Sequence, residues 1–112
     1  MDGMIAVEKW FDVCALNDIP LRGARRMQHQ GLTLGVFRTH SGRVFAVDNR
    51  CPHKGGPLSD GIVHDTSVTC PLHNWIFDLE TGKARGSDDG CIRTFPVEVT
   101  DAGRVQIKLP VV

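Results

Sequence analysis

Residues 51–75 read Cys-Pro-His-Lys-Gly-Gly-Pro-Leu-Ser-Asp-Gly-Ile-Val-His-Asp-Thr-Ser-Val-Thr-Cys-Pro-Leu-His-Asn-Trp. Two short boxes bound this stretch, and each box begins with Cys-Pro. The first box contributes Cys51 and His53, and the second contributes Cys70 and His73. Thiolates and imidazoles are ligands for transition metals. The stretch therefore predicts a metal centre held between two loops.

The mixed pairing of the ligands favours iron and sulfur over zinc. Two Cys and two His, one of each from each loop, are the ligand set of a Rieske-type 2Fe–2S centre, in which the thiolates bind one iron and the imidazoles bind the other. Structural zinc accepts the same ligand types, but its common spacings pair Cys with Cys and His with His. A zinc site remains the alternative on ligand chemistry alone.

The residues between the ligands suit a tight loop around a cluster. The prolines that follow Cys51 and Cys70 fix φ and stiffen both loops. Gly55 and Gly56 allow the backbone to pass close to a bound group because they have no Cβ. Neutral imidazoles in place of two thiolates raise the potential above that of an all-Cys cluster.

Length and composition predict one compact domain spanning residues 1–112. The 13 basic and 13 acidic side chains give a formal net charge of zero, which argues against nucleic acid or an anionic membrane as a partner. The sequence shows no secretory signal and no apolar run long enough to cross a bilayer, so a cytoplasmic location is expected. Cys14 lies in an apolar stretch and is interpreted as a core residue.

The remaining pattern consists of short strands separated by glycine turns, with no convincing helix. Residues 104–109 alternate between apolar and polar side chains, as a half-buried strand does. A further hairpin is expected around Asp65 and Thr66. The region of about residues 49–86 is interpreted as a cluster-binding subdomain inserted in a β framework. Predicted strands cover residues 10–14, 25–29, 32–38, 44–48, 76–78, 93–99 and 104–109.

The two boxes resemble those of soluble Rieske ferredoxins. The longer sequences around the boxes resemble the small subunit of assimilatory NAD(P)H-dependent nitrite reductase at residues 51–58 and 70–75. The same resemblance extends to Asp-Gly-Cys-Ile-Arg-Thr-Phe-Pro-Val at residues 89–97. The resemblance covers nearly the whole chain. It implies an all-β, Rieske-type (ISP-like) fold of stacked antiparallel sheets with a cluster-binding subdomain.

This resemblance also implies a partner and a reaction. In that family the small subunit works beside a large subunit that carries siroheme, flavin and a 4Fe–4S cluster, and the assembly reduces nitrite to ammonium in nitrate assimilation. Nothing in this chain resembles a nitrite, flavin or nucleotide site. The chain is therefore expected to be an electron-transfer subunit of an enzyme, with no substrate site of its own.

The residues around the boxes are expected to surround the cluster and to meet the partner. High-potential Rieske proteins place hydroxyl donors where this chain has Trp75 and Phe77. Their absence predicts a potential at the low end of the Rieske range, on the order of −150 mV. The residues assigned to this surrounding shell and partner port are Lys54, Gly55, Gly56, Pro57, Asn74, Trp75 and Phe77.

Two other functions remain open. One is a free-standing Rieske ferredoxin that passes electrons to a ring-hydroxylating oxygenase, which shares the fold and the cluster but docks only transiently. The other is a zinc-stabilised assembly module with no redox activity. The residue pair Asn74–Trp75 and the segment 86–91 favour the nitrite reductase subunit.

Overall fold

The computed structural model describes residues 7–50, 57–71, 75–85 and 90–111. These residues form strands and two short 3-10 helices, Leu16–Asp18 and Leu58–Asp60, and no α-helix. None of them forms a helix long and apolar enough to span a membrane. The strands are β1 (Val7–Ala15), β2 (Gly23–His29), β3 (Leu32–Arg38), β4 (Val44–Asp48), β5 (Ile62–Val63), β6 (Ser67–Thr69), β7 (Ile76–Asp78), β8 (Thr94–Phe95), β9 (Val97–Val99) and β10 (Arg104–Val111).

The strands form three antiparallel sheets. Sheet A has the order β1-β10-β9, sheet B has the order β2-β3-β4-β8, and sheet C has the order β5-β6-β7. The expected hairpin around Asp65 and Thr66 is confirmed, since this turn joins β5 to β6. The predicted all-β fold of antiparallel sheets is likewise confirmed for the described residues.

Sheet B is the middle layer, and both of its faces are buried. Successive side chains of a strand point to opposite faces. On β3, Val36 packs with Ile107 of sheet A in one hydrophobic core. Phe37, the next residue, packs with Val68 and Phe77 of sheet C in the other core. This second core includes Leu58 and the predicted ligand Cys70, and it packs sheet C against sheet B.

The predicted single strand over residues 93–99 is wrong, because the chain changes sheets at Pro96. Before the proline, Phe95 pairs with Ala46 in sheet B. After it, Val97 pairs with Ile107 in sheet A. Proline has no N–H to donate to a ladder and its φ is fixed, so a continuous strand is interrupted there. The two sheets diverge at this point.

Candidate metal centre

The structure describes one of the four predicted ligands, Cys70. It also describes Pro57, Trp75 and Phe77 of the surrounding shell. The other predicted site residues lie outside the described residues and stay predictions: Cys51, His53, Lys54, Gly55, Gly56, His73 and Asn74.

Cys70 lies directly after β6, at the start of the second box. Its side chain is fully buried in the core between sheets B and C. Its backbone N–H donates to the carbonyl oxygen of Trp75 at 2.7 Å. This hydrogen bond joins Cys70 to Trp75, the two ends of the second box. The backbone on either side of the predicted ligand His73 is therefore fixed.

Asn49 closes the first box in a similar way, but through its side chain. Its Oδ1 accepts a hydrogen bond from the N–H of Ser59 at 2.7 Å, and its Nδ2 donates to the Ser59 hydroxyl at 2.8 Å. Its own N–H donates to the carbonyl of Thr33 at 2.8 Å, which ties the site to β3. Asn49 is buried, so these bonds are shielded from water. The ends of residues 50–58 are therefore fixed to the framework.

The bases of the two boxes meet at Gly61. A Cβ at this position would lie 2.1 Å from the carbonyl oxygen of Thr69, which only a glycine permits. Leu58, at the end of the first box, and Cys70 belong to the same buried cluster. The structure thus brings the ends of the two boxes together, as a shared metal centre requires. Sequence reasoning missed Asn49, Ser59 and the packing role of Gly61, because no local pattern marks their contacts.

Trp75 and Phe77 lie in contact at the end of the second box. Phe77 is fully buried and belongs to the same cluster as Cys70. Trp75 is half-buried, and its ring lies 6.2 Å from that of Phe77 at an interplanar angle of 45°. Phe77 carries no hydroxyl, so it excludes water from this side of the core without offering a hydrogen bond.

Asp78 organises the turn that follows β7. Its Oδ1 accepts hydrogen bonds from the backbone N–H groups of Glu80 and Thr81, and its Oδ2 lies 3.3 Å from the Arg85 guanidinium. Burial opposes ionisation, but the hydrogen bonds from Glu80, Arg85 and Thr81 outweigh it and lower the pKa of the Asp78 carboxyl. The carboxylate therefore stabilises the turn in the folded protein.

The two cysteines outside the boxes are placed differently. Cys14 is buried in the core between sheets A and B, as predicted, and burial raises the pKa of its thiol. Cys91 is exposed and forms an isolated bridge with Lys83. Within the described ranges, no group of three or more potential ligand side chains could hold a metal ion.

The residues present fit a 2Fe–2S cluster. The described thiol, Cys70, is buried after the end of β6, and hydrogen bonds fix the described residues that flank both boxes. A thiolate and imidazole donor set of this kind suits a Rieske centre. An all-β sandwich with such paired boxes defines a redox domain built around an inorganic cluster.

Comparison with known families identifies that domain. Residues 9–108 match the family model of the Rieske-like [2Fe-2S] domain, and the chain belongs to this family. It is accordingly an electron-transfer domain with a 2Fe–2S cluster.

Curated relatives and solved structures place the chain among small redox proteins. It is 38% identical over 104 residues to the ferredoxin component of the 2,4-dinitrotoluene dioxygenase system of Burkholderia sp. (strain RASC), covering 91% of this chain and 97% of that protein. It is 35% identical over 103 residues to the ferredoxin component of the naphthalene 1,2-dioxygenase system of Pseudomonas aeruginosa, with the same coverage. A structure assigned as an NADH-dependent nitrite reductase small subunit from Mycobacterium tuberculosis superposes with a TM-score of 0.84 at 27% identity, over 95% of this chain and 99% of that one.

Proposed function

We propose that this chain is the Rieske electron-transfer subunit of an assimilatory NAD(P)H-dependent nitrite reductase. It would pass electrons within an assembly whose large subunit carries siroheme and flavin and reduces nitrite to ammonium. The observation that carries this proposal is the end-to-end overlap with the Mycobacterium tuberculosis chain, at a TM-score of 0.84. The residue pattern at 51–58, 70–75 and 89–97 supports the same assignment.

The cluster ligands in this proposal are Cys51, His53, Cys70 and His73. The cluster supplies a one-electron carrier when it is bound. The protein supplies the rest: Asn49 and Ser59 hold the first box, the bond from Cys70 to Trp75 holds the second, and Phe77 excludes water. Residues 49–86 act as the cluster-binding part of a single domain spanning 1–112.

A second function has its own support. The curated relatives at 35% and 38% identity are ferredoxin components of dioxygenase systems. In this alternative the chain carries electrons to a ring-hydroxylating oxygenase as a separate protein. Fold, cluster and ligands are the same in both functions, and only the partner differs.

Affinity purification from native cells grown on nitrate separates the two functions. Tagged chain would be isolated and the absorption spectrum of the associated proteins recorded. A large partner with siroheme and flavin bands, at a fixed ratio to the chain, is the expected result for a cytoplasmic nitrite reductase. Isolation of the chain alone with its cluster, together with electron delivery to a dioxygenase in a reconstituted assay, would establish the ferredoxin instead.

A further inference from the structure

A cavity of about 380 Å³ lies beside the hairpin between β5 and β6. Three parts of the chain line it: Arg22 before β2, His40 after β3, and Val63, His64 and Asp65 of the hairpin. Ligand pockets occupy about 300–1,000 Å³, so this volume suits a small molecule or ion. Four of these five side chains are charged or carry an imidazole, which indicates a polar ligand.

Arg22 and His40 supply hydrogen-bond donors to this cavity. The Nε–H of Arg22 donates to Nδ1 of His40 at 3.3 Å. Because Nδ1 accepts this bond, the neutral His40 ring carries its proton on Nε2. The terminal nitrogens of Arg22 and the Nε2–H of His40 have no acceptor among the described residues. An anion in the cavity would provide that acceptor.

The backbone of Arg22 is held in an unusual conformation. Its φ is +59°, in the left-handed region that bulky side chains rarely adopt. A tight turn maintains it, since the N–H of Gly23 donates to the carbonyl of Pro20 at 3.0 Å. Such strained residues persist where the surrounding structure fixes them, and they concentrate at ligand sites. The turn therefore presents the guanidinium to the cavity beside His40.

The Arg22 guanidinium and the Asp65 carboxylate line the same cavity but do not pair with each other. Neither takes part in an ion pair within the described part of the chain, whereas Arg43, Arg85 and Arg104 each pair with a carboxylate. A carboxylate only accepts hydrogen bonds, and a guanidinium only donates them. A ligand that contacts both must therefore carry acceptor oxygens and at least one hydroxyl.

We propose that this cavity binds a phosphate group that retains a proton, either as inorganic phosphate or on a small molecule. Arg22 and His40 donate to its oxygens, and Asp65 accepts from its hydroxyl. The His64 ring, 2.8 Å from the Thr69 hydroxyl at Nε2, forms a fixed wall. Charge-assisted bonds from arginine provide the affinity, and the carboxylate provides selectivity against sulfate, which has no proton to donate at neutral pH. This site goes beyond the proposed function and applies with either redox partner.

Calorimetric titration of the complete chain, with its cluster, tests this site at neutral pH. Arg22→Gln removes the guanidinium, and Arg25→Gln makes the same change at an exposed arginine of β2 that does not line the cavity. We expect Arg22→Gln to weaken binding of inorganic phosphate by at least about tenfold and Arg25→Gln to leave it unchanged, with the cluster spectrum intact in both. Undetectable binding to the wild-type chain, or wild-type binding by Arg22→Gln, would overturn the inference.

Asp65→Asn tests how the ligand is selected. The wild-type chain should bind phosphate at least about tenfold more tightly than sulfate, and Asp65→Asn should lose most of this preference because an amide can donate to sulfate. Asp101→Asn, in the exposed turn between β9 and β10, is the control for the loss of one negative charge. Equal binding of phosphate and sulfate by the wild-type chain would overturn the assignment of a protonated ligand.

Glycerol 3-phosphate distinguishes the two sources of the phosphate group. Tighter binding of inorganic phosphate would identify the free ion as the ligand, and tighter binding of glycerol 3-phosphate would identify a phosphorylated small molecule. In both cases Arg22→Gln should weaken binding of the preferred ligand. Binding of either ligand that is insensitive to both Arg22→Gln and Asp65→Asn would place it elsewhere on the protein and overturn the inference.

Discussion

The side chain of Asn49 makes two hydrogen bonds to Ser59. Its Oδ1 accepts from the Ser59 N–H at 2.7 Å, and its Nδ2 donates to the Ser59 hydroxyl at 2.8 Å. These two residues bound the first ligand box. The backbone of Asn49 is in turn fixed to β3 by its bond to Thr33. A buried amide with both of its polar atoms paired thus holds a cluster loop to the rigid sheet, and this gives Asn49 a positioning role.

Asn49→Ala should destabilise the fold and loosen the first box. Both bonds are lost and the Ser59 N–H, which lies in a partly buried hydrogen bond, loses its acceptor, which costs about 1–3 kcal/mol. The measurement is the free energy of unfolding in urea, together with the rate at which the cluster is lost to a chelator. Asn17→Ala, at an exposed position in the 3-10 helix Leu16–Asp18, is the matched control. Equal stability and equal cluster loss in the two variants would exclude this role.

Cys70→Ala should abolish the cluster, because the thiolate is one of only four ligands in the proposed set. Cys14→Ala is the control matched for burial, since both thiols are inaccessible and only Cys70 belongs to a box. Iron, acid-labile sulfide and the EPR signal of the reduced protein are the readouts. We expect full iron and sulfide content in Cys14→Ala and almost none in Cys70→Ala. A normal Rieske signal from Cys70→Ala would remove this residue from the ligand set.

Gly61→Ala should be far more damaging than an alanine at a glycine with space around it. The added Cβ would lie 2.1 Å from the Thr69 carbonyl oxygen and would push the two boxes apart, at a cost above about 2 kcal/mol. Gly31 has a φ of +85° and nothing within 4 Å of an added Cβ. Gly31→Ala should therefore cost only about 1 kcal/mol, from backbone conformation. The thermal unfolding midpoint and the iron content of both variants are measured. Similar losses of stability and iron in Gly61→Ala and Gly31→Ala would refute the steric explanation.

The residues that could be predicted from sequence are those with a local signature. The paired boxes and the turn at Asp65 and Thr66 combine residue type with short spacing, so they identified the family and the hairpin between β5 and β6. The alternation over residues 104–109 is likewise a local signal, and β10 occupies this stretch.

The features that were missed depend on contacts between distant parts of the chain. Residues 93–99 have the sequence pattern of one strand. The chain divides at Pro96 because Phe95 pairs with Ala46 in sheet B, whereas Val97 pairs with Ile107 in sheet A. The contact from Gly61 to Thr69 spans the hairpin, and the bonds from Asn49 to Ser59 close a loop of nine residues. Asparagine, serine and glycine occur in most turns, so their presence gave no signal for these particular partners.

Asp78 should make the stability of the protein depend on pH in the acid range. The pKa of its carboxyl is lowered in the folded protein, so its stabilisation is complete above the unfolded-state pKa and is lost as the pH falls through the folded-state pKa. The free energy of unfolding of Asp78→Asn should therefore be about 1 kcal/mol lower than that of the wild type at neutral pH, because the hydrogen bonds to Glu80, Thr81 and Arg85 are weaker. The difference from wild type should shrink toward zero in acid.

Urea unfolding as a function of pH measures this dependence for Asp78→Asn. Asp101→Asn, in the exposed turn between β9 and β10, is the control for the loss of one negative charge. If the free energy of unfolding of Asp78→Asn stays equally far below the wild-type value at a pH where carboxylates are protonated, the charge of Asp78 does not stabilise this turn.

The reduction potential should lie at the low end of the Rieske range, on the order of −150 mV. Hydroxyl donors near cluster or cysteine sulfur stabilise the reduced, more negative state, and Phe77, packed in the same core as Cys70, provides none. Potentiometric titration followed by EPR measures the midpoint. Phe77→Tyr should raise it if the new hydroxyl reaches the sulfur, whereas Phe37→Tyr, at a position equally buried in the same core but on β3, should leave it unchanged. A clearly positive midpoint in the wild-type protein would contradict this account, because it would require hydroxyl donors that the side chains of Phe77 and Trp75 do not have.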